Sequence, residues 1–215
     1  MTIRALAAAA AFLPIMSAQQ PTEIKIQTID GGSIVANVYG AGDHAVVLAH
    51  GAVFDKESWH DQAVRLAKKG LRVAAIDFRG YGRSQGGSEG RALHLDVLSA
   101  VRRLRRDGAR EISVVGGSMG ARASAQASME SKPGEIDRLI LLAPPPFENP
   151  EKLRGEILFI VSEGDGLASF VKQAHKAAPE PKKLTVLPGS AHAQHIFKTD
   201  QAEALFEAIA NFVGE

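Results

Sequence analysis

From residue 23 onward, short unbroken apolar runs alternate with longer amphipathic stretches, and this alternation decides what the chain can fold into. A continuous apolar run of five residues such as Ala45–Ala49 (AVVLA) fits a strand buried on both faces, which is the environment of a parallel sheet. Further runs of this kind lie at 72–76, 112–115, 139–142, 157–161 and 183–187. Between them the spacing of apolar residues predicts helices over 58–69, 91–107, 119–130, 167–177 and 200–213. Gly70 and Gly108 stand where helices should stop. Ahead of these units, residues 23–29 and 33–39 flank Asp30-Gly31-Gly32 and read as a β-hairpin. The expected fold is therefore α/β: a doubly wound, mostly parallel sheet in one domain. A chain of 215 residues with 45% hydrophobic and 23% charged residues has enough apolar material for that single core.

Two properties narrow the function. The formal net charge is +1, which gives no strong field for nucleic acid or an anionic membrane. Arg102-Arg103-Leu104-Arg105-Arg106 has no interleaved aromatics and reads as the solvated face of its helix, so nucleic-acid binding is not expected. The absence of cysteine excludes disulfides, thiol nucleophiles and thiolate metal sites. At the N-terminus, Arg4 precedes an apolar run from Ala5 to Met16, followed by Ser17-Ala18-Gln19-Gln20. That layout fits a secretory signal peptide over residues 1–18, with a cytoplasmic leader as the alternative. The run is short for a bilayer span, so export to the periplasm or medium is expected without a stable membrane anchor. The catalytic domain would then comprise residues 19–215, with a charge near zero once Arg4 is removed.

In open α/β sheets the ligand site lies at the carboxyl ends of the strands, so the residues just after each apolar run matter most. After 112–115 comes Gly116-Gly117-Ser118-Met119-Gly120, a Gly-x-Ser-x-Gly run between strand and helix. Such a turn exposes the Ser118 hydroxyl as a nucleophile, with glycines where strand and helix pack closely. A serine needs a base. His192 follows the last strand and is favoured over His195, which stands further from the strand end. The two histidines at i, i+3 could also suggest metal ligation, but no acidic partner at ligand spacing accompanies them, and neither metal nor cofactor is expected. Asp165, in Ser162-Glu163-Gly164-Asp165, is the expected orienting acid, with Glu163 ranked below it for lying too near the strand end. The amides of Ala52, in His50-Gly51-Ala52, and of Met119 would form an oxyanion hole, with His50 a structural residue fixing that loop. Trp59 reads as core or pocket wall, and Asp55 as a solvated loop acid with pocket lining as the alternative.

These pieces resemble the α/β-hydrolase superfamily over nearly all of residues 23–215. The resemblance is carried by His50-Gly51, Trp59, Asp77-Phe78-Arg79-Gly80-Tyr81-Gly82-Arg83-Ser84, the Ser118 pentapeptide, Gly164-Asp165 and Gly189-Ser190-Ala191-His192. It implies an eight-stranded sheet with the second strand antiparallel, a structural turn rather than catalysis at Asp77, and esterase, lipase, thioesterase, peptidase or related activity. Many members carry a cap after the strand equivalent to 139–142, but here only Ala143 through Gly155 separates it from the next strand. No cap domain fits in that space. The site should be open, bordered by Pro144-Pro145-Pro146 and Phe147, and accessible to small-molecule or surface-displayed esters. The expectation is a carboxylesterase; a peptidase, amidase or thioesterase on the same residues, or a non-catalytic binding protein of this fold, are the alternatives. Pocket shape comes from several loops, so the sequence names no substrate.

Overall fold

The computed structural model describes residues 20–214, and the expected leader at 1–18 lies outside them. Eight strands form one sheet: β1 (Thr22–Gln27), β2 (Ser33–Tyr39), β3 (His44–Ala49), β4 (Arg72–Ile76), β5 (Glu111–Gly117), β6 (Arg138–Leu142), β7 (Glu156–Ser162) and β8 (Lys182–Leu187). Their spatial order is β1-β2-β4-β3-β5-β6-β7-β8. β2 is antiparallel to both β1 and β4, and every other pairing is parallel. The hairpin and the six later strands thus sit where the sequence places them.

Five helices flank the sheet: α1 (His60–Lys68), α2 (Leu93–Arg106), α3 (Met119–Glu130), α4 (Ala168–Ala177) and α5 (Ala202–Gly214). The first begins later than its apolar pattern suggests because a 3-10 turn, Lys56–Trp59, precedes it. Asp55 caps that turn, its carboxylate accepting the Glu57 N–H at 3.0 Å, so it is a capping acid rather than a free loop charge. α2 starts at Leu93 because Gly90, at φ +56°, holds the preceding chain in a turn. Trp59 is fully buried in the core with the inward face of α1, namely Ala63, Leu66 and Ala67. Arg65, across α1, lies over the Phe206 ring at 3.4 Å and joins this helix to α5.

The order of connections fixes where a ligand can sit. From β3 the chain moves to β4 on one side, then crosses to β5 on the other side of β3. Loops leaving β3 and β5 therefore diverge, and a crevice opens between them at their carboxyl ends. Gly51-Ala52 follows β3 and Ser118 follows β5, so both border that crevice. Between β6 and β7 only the short turn Pro150–Lys152 intervenes, so no cap is inserted there among the described residues.

The Asp77–Ser84 segment is a structural turn. The Ser84 hydroxyl donates to the Asp77 carbonyl at 2.8 Å and accepts the Val35 N–H at 2.9 Å. The Asp77 carboxylate takes the Lys56 N–H at 2.8 Å and its ammonium at 3.1 Å. Arg79 bridges two carboxylates that are far apart in the chain, Asp30 of the hairpin turn and Asp96 of α2.

Candidate active site

Ser118 joins β5 to α3 with φ 50° and ψ −115°, outside the regular helical and strand regions. Holding a serine there costs about 1–3 kcal/mol, and the surrounding glycines make it possible. A Cβ on Gly116 would lie 2.5 Å from the Gly120 carbonyl and 2.6 Å from the Ala121 backbone. A Cβ on Gly120 would come within 2.6 Å of the Ala49 carbonyl carbon. Only glycine lets α3 sit this close to the ends of β3 and β5, and that closeness is what thrusts the serine out of the turn.

His192 stands in the loop after β8. Its Nε2 lies 2.8 Å from Ser118 Oγ, and its Nδ1 lies 2.7 Å from Asp165 Oδ2. A carboxylate accepts only, so Nδ1 carries the proton and Nε2 is left as the acceptor facing the serine hydroxyl. Asp165 is itself held: Oδ1 accepts the Leu167 N–H at 2.9 Å, and its side chain is 4% exposed. The loop bearing His192 is pinned by the Ser162 hydroxyl, which donates to the Ala191 carbonyl at 2.7 Å. The three residues picked from strand ends thus meet as one hydrogen-bonded chain. The competitors do not join it. His195 is exposed with its ring 4.9 Å from Phe54, and Glu163 is exposed.

Met119 follows the serine directly, and Ala52 is brought near Met119 by Tyr81, whose hydroxyl also reaches Met119 Sδ at 3.7 Å. Met119 opens α3, so its N–H has no acceptor within the helix. The Ala52 N–H donates to no acceptor among the described residues, while the Ala52 carbonyl is engaged by the Tyr81 hydroxyl at 2.9 Å. Behind them, His50 is fully buried. Its Nδ1 donates to the Gly51 carbonyl at 2.8 Å and its Nε2 accepts the Phe78 N–H at 3.2 Å, which is the loop-fixing role expected of it. Burial pushes the His50 pKa below its ordinary value, and a second proton would face the Phe78 donor. The folded chain therefore binds this proton less readily than the unfolded chain. The stabilisation is complete above about pH 6.5 and is lost as the pH falls toward the folded pKa. We expect the melting temperature to drop between pH 7.5 and 5.5, with a shallower slope in His50→Gln; equal slopes in thermal melts across that range would overturn this.

Gln194 is a site residue that the sequence did not announce. It is 4% exposed and spans two loops. Its Oε1 accepts the Gly51 N–H at 2.7 Å and its Nε2 donates to the Ser58 hydroxyl at 2.9 Å. The segment carrying His192 is thereby tied to the backbone next to Ala52. The one available signal was its position two residues after His192, and a lone glutamine in a loop carries no chemistry that would flag it.

The family model for the alpha/beta hydrolase fold matches residues 44–213. A non-heme haloperoxidase from Rhodococcus erythropolis is 29% identical over 134 residues, 60% of this chain; the match spans about half, 48%, of that protein's length. Among solved structures, an esterase from Pyrococcus furiosus superposes with TM-score 0.76 at 19% identity, covering 96% of this chain and 95% of that one. A dienelactone hydrolase from Anabaena variabilis superposes with TM-score 0.75 at 18% identity, over 90% and 97% of the two chains. A bromoperoxidase from Bacillus anthracis gives 0.76 at 18%, over 90% and 100%. At these identities the superpositions speak to the fold, and the family match covers most of the chain. With β2 reversed in an otherwise parallel sheet and Ser118 on a sharp strand-to-helix turn, the chain belongs to the alpha/beta hydrolase fold family.

Proposed function

We propose that the protein is a serine hydrolase that cleaves carboxylic esters through an acyl-enzyme on Ser118. The observation that carries this reading is the unbroken relay Asp165–His192–Ser118, with 2.7 and 2.8 Å links. Ser118 Oγ attacks the ester carbonyl as His192 Nε2 takes its proton. The carbonyl oxygen becomes an oxyanion that the Ala52 and Met119 amides stabilise. On collapse, the imidazolium returns the proton to the departing alkoxide, which leaves as the alcohol. Water then attacks the acyl-enzyme, again giving its proton to His192, and the carboxylic acid departs as Ser118 regains its proton. Asp165 keeps the imidazole in the required tautomer and balances its transient positive charge. With only thirteen residues between β6 and β7, the serine faces an uncapped edge, which suits small or surface-displayed esters. The leader at 1–18 directs export in this reading, and N-terminal sequencing of the mature protein tests it: a chain retaining Met1 overturns the export part.

The assignment of base and nucleophile is tested by a fluorophosphonate probe followed by peptide mapping. Label is expected at Ser118 in the wild type and in His195→Ala, and is expected to vanish in His192→Ala. Labelling that survives His192→Ala but not His195→Ala would reverse the choice of base. A panel of ester, thioester and amide substrates identifies the leaving group, and turnover confined to the amides would replace the esterase reading with a peptidase one.

A further inference from the structure

Most arginines of the described chain are committed to a partner. Arg65 pairs with Glu203, Arg79 with Asp30 and Asp96, Arg102 with Glu135, Arg103 with Asp107, Arg105 with Asp137, Arg138 with Glu111. Arg83 and Arg110 pair with Glu23 and Asp43, while Arg72 and Arg154 reach backbone carbonyls. Among the described residues only Arg91, Arg106 and Arg122 have no hydrogen-bonding or ionic partner for their guanidinium. Two of those three line one cavity. It has a volume of about 330 Å³ and is lined by Arg91, Arg122, His94 and Gln126 together with the apolar Leu93, Met119 and Ala123. No carboxylate lines it. The nearest acid on α3, Glu130, is already held by His94 at 3.2 Å. A neighbouring cavity of about 310 Å³ shares Arg91, Leu93 and Met119, so the two lie side by side against the residue that follows Ser118, while a larger cavity of about 710 Å³ on the other side shares Arg122 and Gln126 and carries Glu130 and Glu148.

The position relative to the nucleophile is set by the helix. The Arg122 N–H donates to the Ser118 carbonyl at 3.0 Å, which makes Arg122 one turn beyond the serine. Four residues of α-helix rise by roughly 6 Å. An anion held between the two guanidiniums would therefore stand about one short carbon chain away from a carbonyl on Ser118, with that chain lying on Met119 and Leu93.

We propose that this cavity is the specificity subsite and that the preferred substrates are esters carrying a carboxylate several atoms from the scissile bond, clamped by Arg91 and Arg122. The proposal rests on Ser118 being the nucleophile. Two unpaired guanidiniums lining one cavity offer forked donors matched to a planar carboxylate, and such charge-assisted bonds outweigh neutral ones.

The carboxylate could belong to the acyl or to the alcohol part, and two substrate pairs separate these. Mono-4-nitrophenyl adipate is compared with 4-nitrophenyl hexanoate, and 4-acetoxybenzoate with its methyl ester. For at least one pair, the anionic member is expected to exceed the neutral one in kcat/KM by about tenfold at low salt, with the advantage shrinking as salt rises. That ratio should fall toward one in Arg122→Gln and in Arg91→Gln. In Arg106→Gln, which removes the third unpaired guanidinium at the far end of α2, the ratio should stay as in the wild type. A wild-type ratio at or below one for both pairs overturns the subsite, as does an equal fall in Arg106→Gln, which would mean bulk charge. If neutral esters are turned over and Ser118 is labelled in those same experiments, the hydrolase reading stands and only the subsite is lost. If neither ester is turned over and Ser118 takes no label, both fall together.

Discussion

Ser118→Ala is expected to lower kcat for 4-nitrophenyl butyrate by roughly 10⁴- to 10⁶-fold while the melting temperature stays within about 2 °C of wild type. The size follows from the geometry. Removing Oγ leaves His192 poised with no proton to take, so covalent attack is lost as a unit rather than weakened in proportion. What remains is whatever the Ala52 and Met119 amides contribute to direct attack by water. The fold is spared because the elbow depends on Gly116 and Gly120, not on the serine side chain, and alanine at this strained φ keeps a Cβ where serine already has one. Asp165→Asn offers an independent reading of the same relay. Its amide can present a donor to Nδ1, favouring the tautomer with the proton on Nε2, and kcat should fall by about 10⁴-fold. A Ser118→Ala enzyme that retains more than a few percent of wild-type turnover, measured on protein free of contaminating esterase, would refute the nucleophile.

The parts of this site that could be read from the sequence are those that obey a local rule. Ala45–Ala49 is legible as a central strand because burial on both faces demands an unbroken apolar run, and its register partners, Arg72–Ile76 and 112–116, are likewise largely apolar and buried. Ser118 is legible because packing α3 against two strand ends requires small residues at fixed offsets around it. Asp165 and His192 follow from topology, since parallel strands deliver all their carboxyl ends to one edge. Gln194 obeys no such rule. Its partner Gly51 is 143 residues away, and its value lies in spanning two loops whose separation only the folded sheet defines. The start of α2 escapes the sequence for a similar reason: residues 91 and 92 have helix-compatible side chains, but the turn through Gly90 and the hydrogen bond that Arg79 Nη1 donates to the Gly90 carbonyl hold the backbone elsewhere. Arg91 and Arg122 carry no pattern at all, because what distinguishes them is that neither guanidinium has an ionic or hydrogen-bonding partner while both line one cavity.

The largest stability effect is expected at Arg79, whose side chain is 3% exposed and whose partners Asp30 and Asp96 are 4% and 0% exposed. The guanidinium gives Nε and Nη2 to Asp96 Oδ1 at 2.9 and 2.8 Å, and Nη1 to Asp30 Oδ2 at 2.8 Å and the Gly90 carbonyl at 3.1 Å. Arg79→Met keeps much of the volume but leaves two buried carboxylates facing each other without a cation. Breaking a buried ion network from one side costs about 3–5 kcal/mol. For a domain of this size each kcal/mol shifts the melting temperature by about 2–4 °C, so a drop on the order of 10 °C is expected. The pH dependence distinguishes lost charge from lost packing. In the wild type the Arg79 hydrogen bonds hold Asp30 well below the ordinary carboxylate range, so its stabilisation is present above about pH 4 and is lost as the pH falls through the folded pKa. Burial pushes Asp96 the other way, and without the Arg79 guanidinium only the backbone N–H of residue 79, 2.9 Å from Oδ2, opposes that push. A raised folded pKa stabilises below the unfolded value and destabilises as pH rises. Arg79→Met should therefore regain stability between pH 7.5 and 5, and adding Asp96→Asn should recover part of the loss at pH 7.5. A melting temperature for Arg79→Met within about 2 °C of wild type, or a loss with no pH dependence of its own, would show that the network is not what joins the hairpin turn, the loop after β4 and the start of α2.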